Sequence, residues 1–138
     1  MSIQLHMKQE DLASAKEPEL HSIPCHIDAD GPANVEAYFK PYIKKIDEEY
    51  FKATFRGHPL DGKKISIPKG YKGVTFTEYK KPEAEEERHI YANGTFQELT
   101  YWNYDKLPSK NDPFIAAFDW IDIAEALHST VDDDDSAQ

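Results

Sequence analysis

Apolar and polar side chains alternate through much of residues 50–79. Phe51, Ala53 and Phe55 alternate with Lys52, Thr54 and Arg56, the period-2 pattern of a half-buried strand. Gly57 breaks the pattern. Pro59 and Asp61-Gly62 have turn chemistry, because proline presets φ and glycine accepts a positive one. Ile65 and Ile67 resume the alternation, Pro68-Lys69-Gly70 predicts a second turn, and Val74 and Phe76 predict a third strand. The run therefore reads as an antiparallel meander with Arg56 inside its first strand. A sheet this small needs more strands or a helix against its apolar face.

The flanking segments supply candidates. Ile3, Leu5 and Met7 alternate and predict a short edge strand in a polar N-terminal extension, residues 1–18. Ile23, Cys25 and Ile27 predict a strand over 20–27, at an edge because Pro24 cannot donate to a ladder. Val35, Tyr38, Phe39, Tyr42, Ile43 and Ile46 have helical spacing, but Pro41 interrupts it, so a helical turn and an irregular stretch are expected. Residues 80–89 form an acidic connector, and Asn93-Gly94 is a turn signal. Phe96, Leu99, Tyr101, Trp102 and Tyr104 place apolar residues on both faces of one further strand. Trp120, Ile123, Ala124, Leu127 and Val131 fall on one stripe and predict a closing helix over 119–131, capped by Asp119. Residues 132–138 read as a disordered acidic tail. The expected class is mainly β with a C-terminal helix, one domain over 19–131.

Composition changes this picture in one respect. The apolar fraction is 39% and the mean hydropathy is −0.74, low for a free-standing globule, so part of the 138-residue chain is expected to be solvated. The net charge of −10 is uneven. Residues 40–81 hold 11 Lys and Arg against 5 acids, whereas 82–138 hold 3 against 14. The overall sign opposes unaided nucleic-acid binding, which draws its affinity from neutralised phosphates. The basic middle is either a solvated strand face or a surface for an acidic partner. No run is apolar enough to cross a membrane. One cysteine, Cys25, leaves no internal disulfide and suits a nuclear or cytosolic protein.

The candidate chemistry is thin. Asp28 and Asp30 could pair on a metal, but Asp before Gly31-Pro32 is ordinary turn chemistry. His21, Cys25 and His26 lack a fourth ligand. Cys25 as a nucleophile needs a base such as His58 or His89. Asn93-Gly94-Thr95 matches a glycosylation acceptor, but without a signal peptide it reads as a turn. Arg56 carries five donors and calls for a carboxylate or carbonyl, within the chain or on another subunit. Tyr101, Trp102 and Tyr104 are either core or a stacking platform. These readings favour an interaction protein. A single-stranded nucleic-acid-binding module using Lys52, Lys63, Lys64, Lys69, Lys72 and Tyr101 is the alternative, and a metal-dependent hydrolase using Asp28 and Asp30 is a third.

Three blocks together resemble one family. Leu20-His-Ser-Ile-Pro-Cys-His-Ile-Asp-Ala-Asp-Gly-Pro-Ala33 is similar to its first block. Thr54-Phe-Arg-Gly-His-Pro-Leu-Asp-Gly62, followed by Ile67-Pro-Lys-Gly-Tyr-Lys-Gly73, is similar to the second. Leu107-Pro108, Trp120 and Ala126-Leu127-His128 are similar to the last. The family is the non-catalytic C-type subunit of the eukaryotic type 2 ribonuclease H complex. The resemblance implies a non-catalytic nuclear scaffold in a heterotrimer. Its antiparallel β-barrel would interlock with the B-type subunit into a fused-barrel platform for the catalytic A-type subunit. That complex cuts RNA in RNA–DNA hybrids and single ribonucleotides in DNA. Its divalent metal, magnesium, belongs to the catalytic subunit, so no cofactor is implied here, and the hybrid is reached only through the complex. By position, Phe55 and Arg56 would face a partner, with Lys69, Tyr101 and Trp102 as further interface candidates. Asp30, Gly31, Pro32 and Gly57 would be structural, and Trp120 and Leu127 would pack the closing helix. The acidic connector is shorter than in many relatives, and residues 109–115 lack the expected basic side chains.

Overall fold

A computed structural model describes residues 2–83 and 86–130. Val131, the expected acidic tail at 132–138 and residues 84–85 of the acidic connector lie outside the described residues. The chain divides into two units, Met1–Leu107 and Pro108–Gln138.

The first unit holds strands β1 (Ile3–His6), β2 (His21–Ser22), β3 (Lys44–Lys45), β4 (Tyr50–Phe55), β5 (His58–Ser66), β6 (Gly73–Thr77), β7 (Arg88–Phe96) and β8 (Glu98–Tyr104). Helices α1 (Gln9–Ser14) and α2 (Val35–Tyr38) and a 3-10 turn (Lys40–Tyr42) lie between them. The strands form two sheets, ordered β1-β7-β6 and β2-β8-β5-β4-β3. Neither sheet closes on itself, so the barrel expected from the family resemblance is not present. The first sheet ends at β1 and β6 and the second at β2 and β3, and those terminal strands do not pair with each other. The mainly β class with a C-terminal helix holds.

The expected meander is divided between the sheets. β4 and β5 form a hairpin, but β6 leaves to pair with β7. The turn between β4 and β5 is not at Asp61-Gly62. Phe55 pairs with His58 across a two-residue loop, Arg56-Gly57, with φ of 49° and 80°. Positive φ at both loop residues is the type I′ geometry whose twist matches a hairpin. Arg56 is therefore at the tip and not in the strand. Pro59 is tolerated in β5 because it precedes Leu60↔Tyr104, the terminal pair of the β5–β8 ladder.

Gly62 lies mid-strand for a different reason. A Cβ there would stand 2.5–2.8 Å from the Trp102 ring. Asn93-Gly94 is likewise not a turn. Thr75 pairs with Gly94 and Phe76 with Ala92, which leaves Asn93 as a bulge inside β7. Its side chain replaces the lost ladder contacts: it accepts a hydrogen bond from Thr75 Oγ1 at 2.6 Å and donates one to Thr77 Oγ1. The single strand expected over 95–104 is accordingly two. β7 and β8 join at Gln97, whose carbonyl accepts from Ile67 N at 2.8 Å and whose N–H donates to Glu17 Oε1 at 2.8 Å.

Of the predicted edge strands, the N-terminal one is the edge β1. The one expected over 20–27 is reduced to β2, His21–Ser22, and leaves Ile23, Cys25 and Ile27 outside it, where Pro24 has no N–H to continue a ladder. Each runs parallel to its neighbour. The helical turn and irregular stretch expected after Asn34 are α2 and the 3-10 turn. The buried apolar core of the described residues is Phe39, Ala53, Leu60 and Trp102, flanked by Ile23, Ile43, Phe51 and Phe55.

The second unit is built on helix α3, Pro113–His128. It starts six residues before the expected cap. Asp112 is the N-cap residue, with Pro113 in the first turn, a position where proline loses no hydrogen bond. The Asp112 carboxylate accepts Ser109 N–H at 3.1 Å. Asp119 is inside the helix. Trp120 and Leu127 are 68% and 74% exposed.

Candidate interaction surface

Trp102 is the anchor of the second sheet, 1% exposed. Gly62 lets its ring lie on β5, and Phe39 meets it edge-on at 5.8 Å. Its Nε1–H donates to His21 Nδ1 at 3.0 Å. Indole nitrogen can only donate, so the Nδ1 of His21 must accept and its Nε2 carries the proton. That Nε2 donates to Glu19 Oε1 at 2.9 Å. Lys40 Nζ then meets Glu19 at 2.8 Å and Glu36 at 2.6 Å. One relay thus links β2, Glu19 two residues before it, the 3-10 turn at Lys40 and α2 at Glu36 to the core. Trp102 is a core residue in this chain.

The relay has a pH signature. Lys40 holds the Glu19 carboxyl below its ordinary value of 4.5, against a smaller effect of burial. Glu19, then Glu36, raises the Lys40 ammonium. A lowered carboxyl stabilises the fold fully above its unfolded value and loses that contribution as pH falls through the lowered one. The raised ammonium contributes below its unfolded value of 10.5 and loses that only as pH rises through its raised value. Glu19→Gln is expected to lower the melting temperature at pH 7 and to flatten its decline below about pH 4.5. Melts across pH 3 to 7 (roughly the window of carboxylate titration) check this; parallel curves for both proteins would contradict it.

The exposed surface around the β4–β5 hairpin is the strongest candidate for a partner. Arg56 projects from the tip with its guanidinium 5.7 Å from the Phe55 ring centre. No carboxylate or carbonyl among the described residues holds it. Beneath the hairpin, Ile23, Pro24, Cys25, Phe55, His58, Leu60 and Tyr104 line a cleft of about 280 Å³. His58 meets Tyr104 at 5.6 Å on its rim. Phe55 and Arg56 are legible as candidates from the sequence. The rest of the cleft is not, because Ile23, His58 and Tyr104 come from three separated segments. Cys25 and His58 share this cleft, the one candidate nucleophile–base pairing the fold brings near.

The other candidates are dispersed. Lys69 is exposed in the Pro68–Tyr71 turn, as its sequence predicts. Tyr101 is half-buried and pairs with Lys63 and Ser22. Much of the basic middle is matched internally, Lys52 with Asp61, Lys63 with Glu49 and Lys64 with Glu98. That favours a solvated strand face over a phosphate-binding one. Asp30, Gly31 and Pro32 lie in an exposed irregular segment. Asp28 pairs with His26 at 3.0 Å. Among the described residues no group of three or more His, Cys, Asp or Glu side chains is arranged to hold a metal ion.

The first sheet carries a second exposed surface. Leu5 pairs with Ile90 and Phe76 with Ala92, so these residues share a face with Ile3. Ile3, Leu5 and Phe76 are 56%, 60% and 41% exposed. The row ends on β1, whose outer edge is unpaired in this sheet.

Comparison with known proteins gives a consistent result. The family model described as ribonuclease H2 non-catalytic subunit (Ylr154p-like) matches residues 19–89 and 76–127. The chain is 27% identical to the C-type subunit of ribonuclease H2 from Mus musculus, over 94% of this chain and 92% of the relative. It is 26% identical to the same subunit of Bos taurus, with the same coverage. An uncharacterised Schizosaccharomyces pombe protein is 29% identical over 91% of this chain and 93% of the relative.

Proposed function

The chain belongs to the ribonuclease H2 non-catalytic subunit family, and from that membership we propose that it is the C-type scaffold of a nuclear ribonuclease H2 complex. In this reading the open sheets are covered by a B-type subunit. The catalytic subunit supplies the carboxylates and the divalent metal that cleave RNA in hybrids and ribonucleotides in DNA. The observation that carries it is the mismatch between an apolar core of four among the described residues and the exposed row of Ile3, Leu5 and Phe76 beside an unpaired strand edge. A strand edge and an apolar row together invite a partner. Expressed alone, the chain is expected to be poorly soluble or to melt broadly. Co-expressed with a B-type partner it is expected to melt cooperatively at higher temperature. A monodisperse, sharply melting monomer that gains nothing from the partner would overturn the reading.

The Arg56 tip suits the contact with the catalytic subunit. Arginine at a positive φ of 49° is locally unfavourable, in a loop type that prefers Asn or Gly. A side chain kept against its backbone preference points to a use outside the turn. Arg56→Gly is expected to stabilise the pair formed with the B-type partner by about 1 kcal/mol. It is expected to weaken, by about tenfold or more, recruitment of the catalytic subunit. Melting of the pair and titration of the third chain separate the two effects. Unchanged recruitment would remove Arg56 from the interface.

A further inference from the structure

We propose that His6 and His89 form a two-nitrogen site for a divalent transition-metal cation, Cu(II) or Ni(II) in particular, bridging β1 and β7. The scaffold reading uses neither residue. They are 83 positions apart, and the parallel pairing of β1 with β7 brings His6 Nε2 within 2.9 Å of His89 Nδ1. Their ring centres are 5.2 Å apart. His6 is stacked on Tyr91 at 4.4 Å and 12°, which limits the rotation of its ring.

The spacing has a coordination meaning. Metal–imidazole bonds are about 2.0–2.1 Å long. Two such bonds to one cation put their nitrogens about 2.9–3.4 Å apart, and the hydrogen bond already holds the two rings at such a separation. Among the first-row divalent cations, nitrogen ligands bind Ni(II) and Cu(II) more tightly than the earlier metals. Beside the pair, Glu86, Glu87 and Lys80 line a cavity of about 410 Å³ together with His89, Tyr79 and Tyr91. Glu86 is taken up by Lys80 at 3.4 Å, and Glu87 accepts from Ser2 Oγ at 2.8 Å. With only two protein nitrogens, water fills the remaining coordination positions. Bound metal would tie the edge strand β1 to the body of the first sheet, the strand that presents Ile3 and Leu5. Without metal the same nitrogens share one hydrogen bond, which needs one of them unprotonated.

The test uses the full chain in its purified assembly, without a polyhistidine tag. Ni(II) titrations by calorimetry and Cu(II) electron paramagnetic resonance compare the parent with His6→Gln, His89→Gln and, as a control, the exposed His26→Gln. Glutamine keeps a hydrogen-bonding side chain at each exposed position, and melting curves verify folding. The expected result is one equivalent of metal lost from each β1–β7 variant, or bound about tenfold or more weakly, with the control unchanged. A nitrogen-ligand signature in the Cu(II) spectrum should vanish with either histidine. Metal bound at the catalytic carboxylates contributes equally to every protein compared. Equal binding in all four, or none in the parent, overturns the proposal. Neither outcome touches the scaffold reading, which rests on partner-dependent folding.

Discussion

Trp102→Ala is expected to unfold the second sheet of this protein. The substitution removes the largest fully buried side chain among the described residues and its packing with Phe39 and Leu60. Truncation of a buried Trp costs about 3–5 kcal/mol, set against a total stability of about 5–15 kcal/mol for an ordinary domain. A core of four buried apolar residues among the described ones places this chain at the low end. The loss spreads further, because His21 would lose the donor that sets its tautomer and aims it at Glu19. Chemical denaturation of the partnered chain measures the effect. Trp102→Phe keeps an aromatic ring against Phe39 but leaves His21 Nδ1 unpaired, and should cost about 1–3 kcal/mol. A stable, soluble Trp102→Ala protein that fails only in partner binding would make Trp102 an interface residue and not the keystone described above.

Gly62→Ala should also destabilise the sheet, although it adds a single methyl group. The new Cβ would stand 2.5 Å from Trp102 Cε3. The backbone has little freedom to retreat, because Gly62 is laddered to Phe51 on one side and to Trp102 on the other. Overpacking of this kind costs about 1–3 kcal/mol and occasionally more. The cause can be isolated by a double-mutant cycle. Trp102→Leu should destabilise the parent strongly but Gly62→Ala much less, with a coupling of about 0.5–3 kcal/mol. If the two changes add independently, the close approach of ring to backbone is not what selects glycine at this position.

The same glycine shows why part of the fold is not legible from sequence. Asp61-Gly62 and Asn93-Gly94 both carry the residues of a tight turn, yet one lies in a strand under an indole and the other in a bulge. Glycine serves two ends, a positive φ and the absence of a Cβ. Only the neighbour across the sheet decides which is in use. Arg56-Gly57, the true turn, is hidden because arginine is a poor residue for it. Pro68-Lys69-Gly70 is legible because its turn chemistry is entirely local. The candidate surface divides in the same way. Phe55, Arg56 and Lys69 stand out as residues, whereas the cleft of Ile23, His58 and Tyr104 and the pair of His6 and His89 exist only through chain pairing.

Alternation and turn chemistry alone established a β-rich chain with a C-terminal helix, an edge strand near residues 3–7, and an uneven charge that sets a basic middle between acidic flanks. Each of these is written within a few neighbouring residues. The tertiary structure alone decided that β6 joins β7 and not β5, that the sheets stay open, and that Trp102 is enclosed while Tyr101 beside it is only half covered. Strand pairing joins residues tens of positions apart, and a period of two gives the spacing of side chains on a strand but not the identity of the strand alongside.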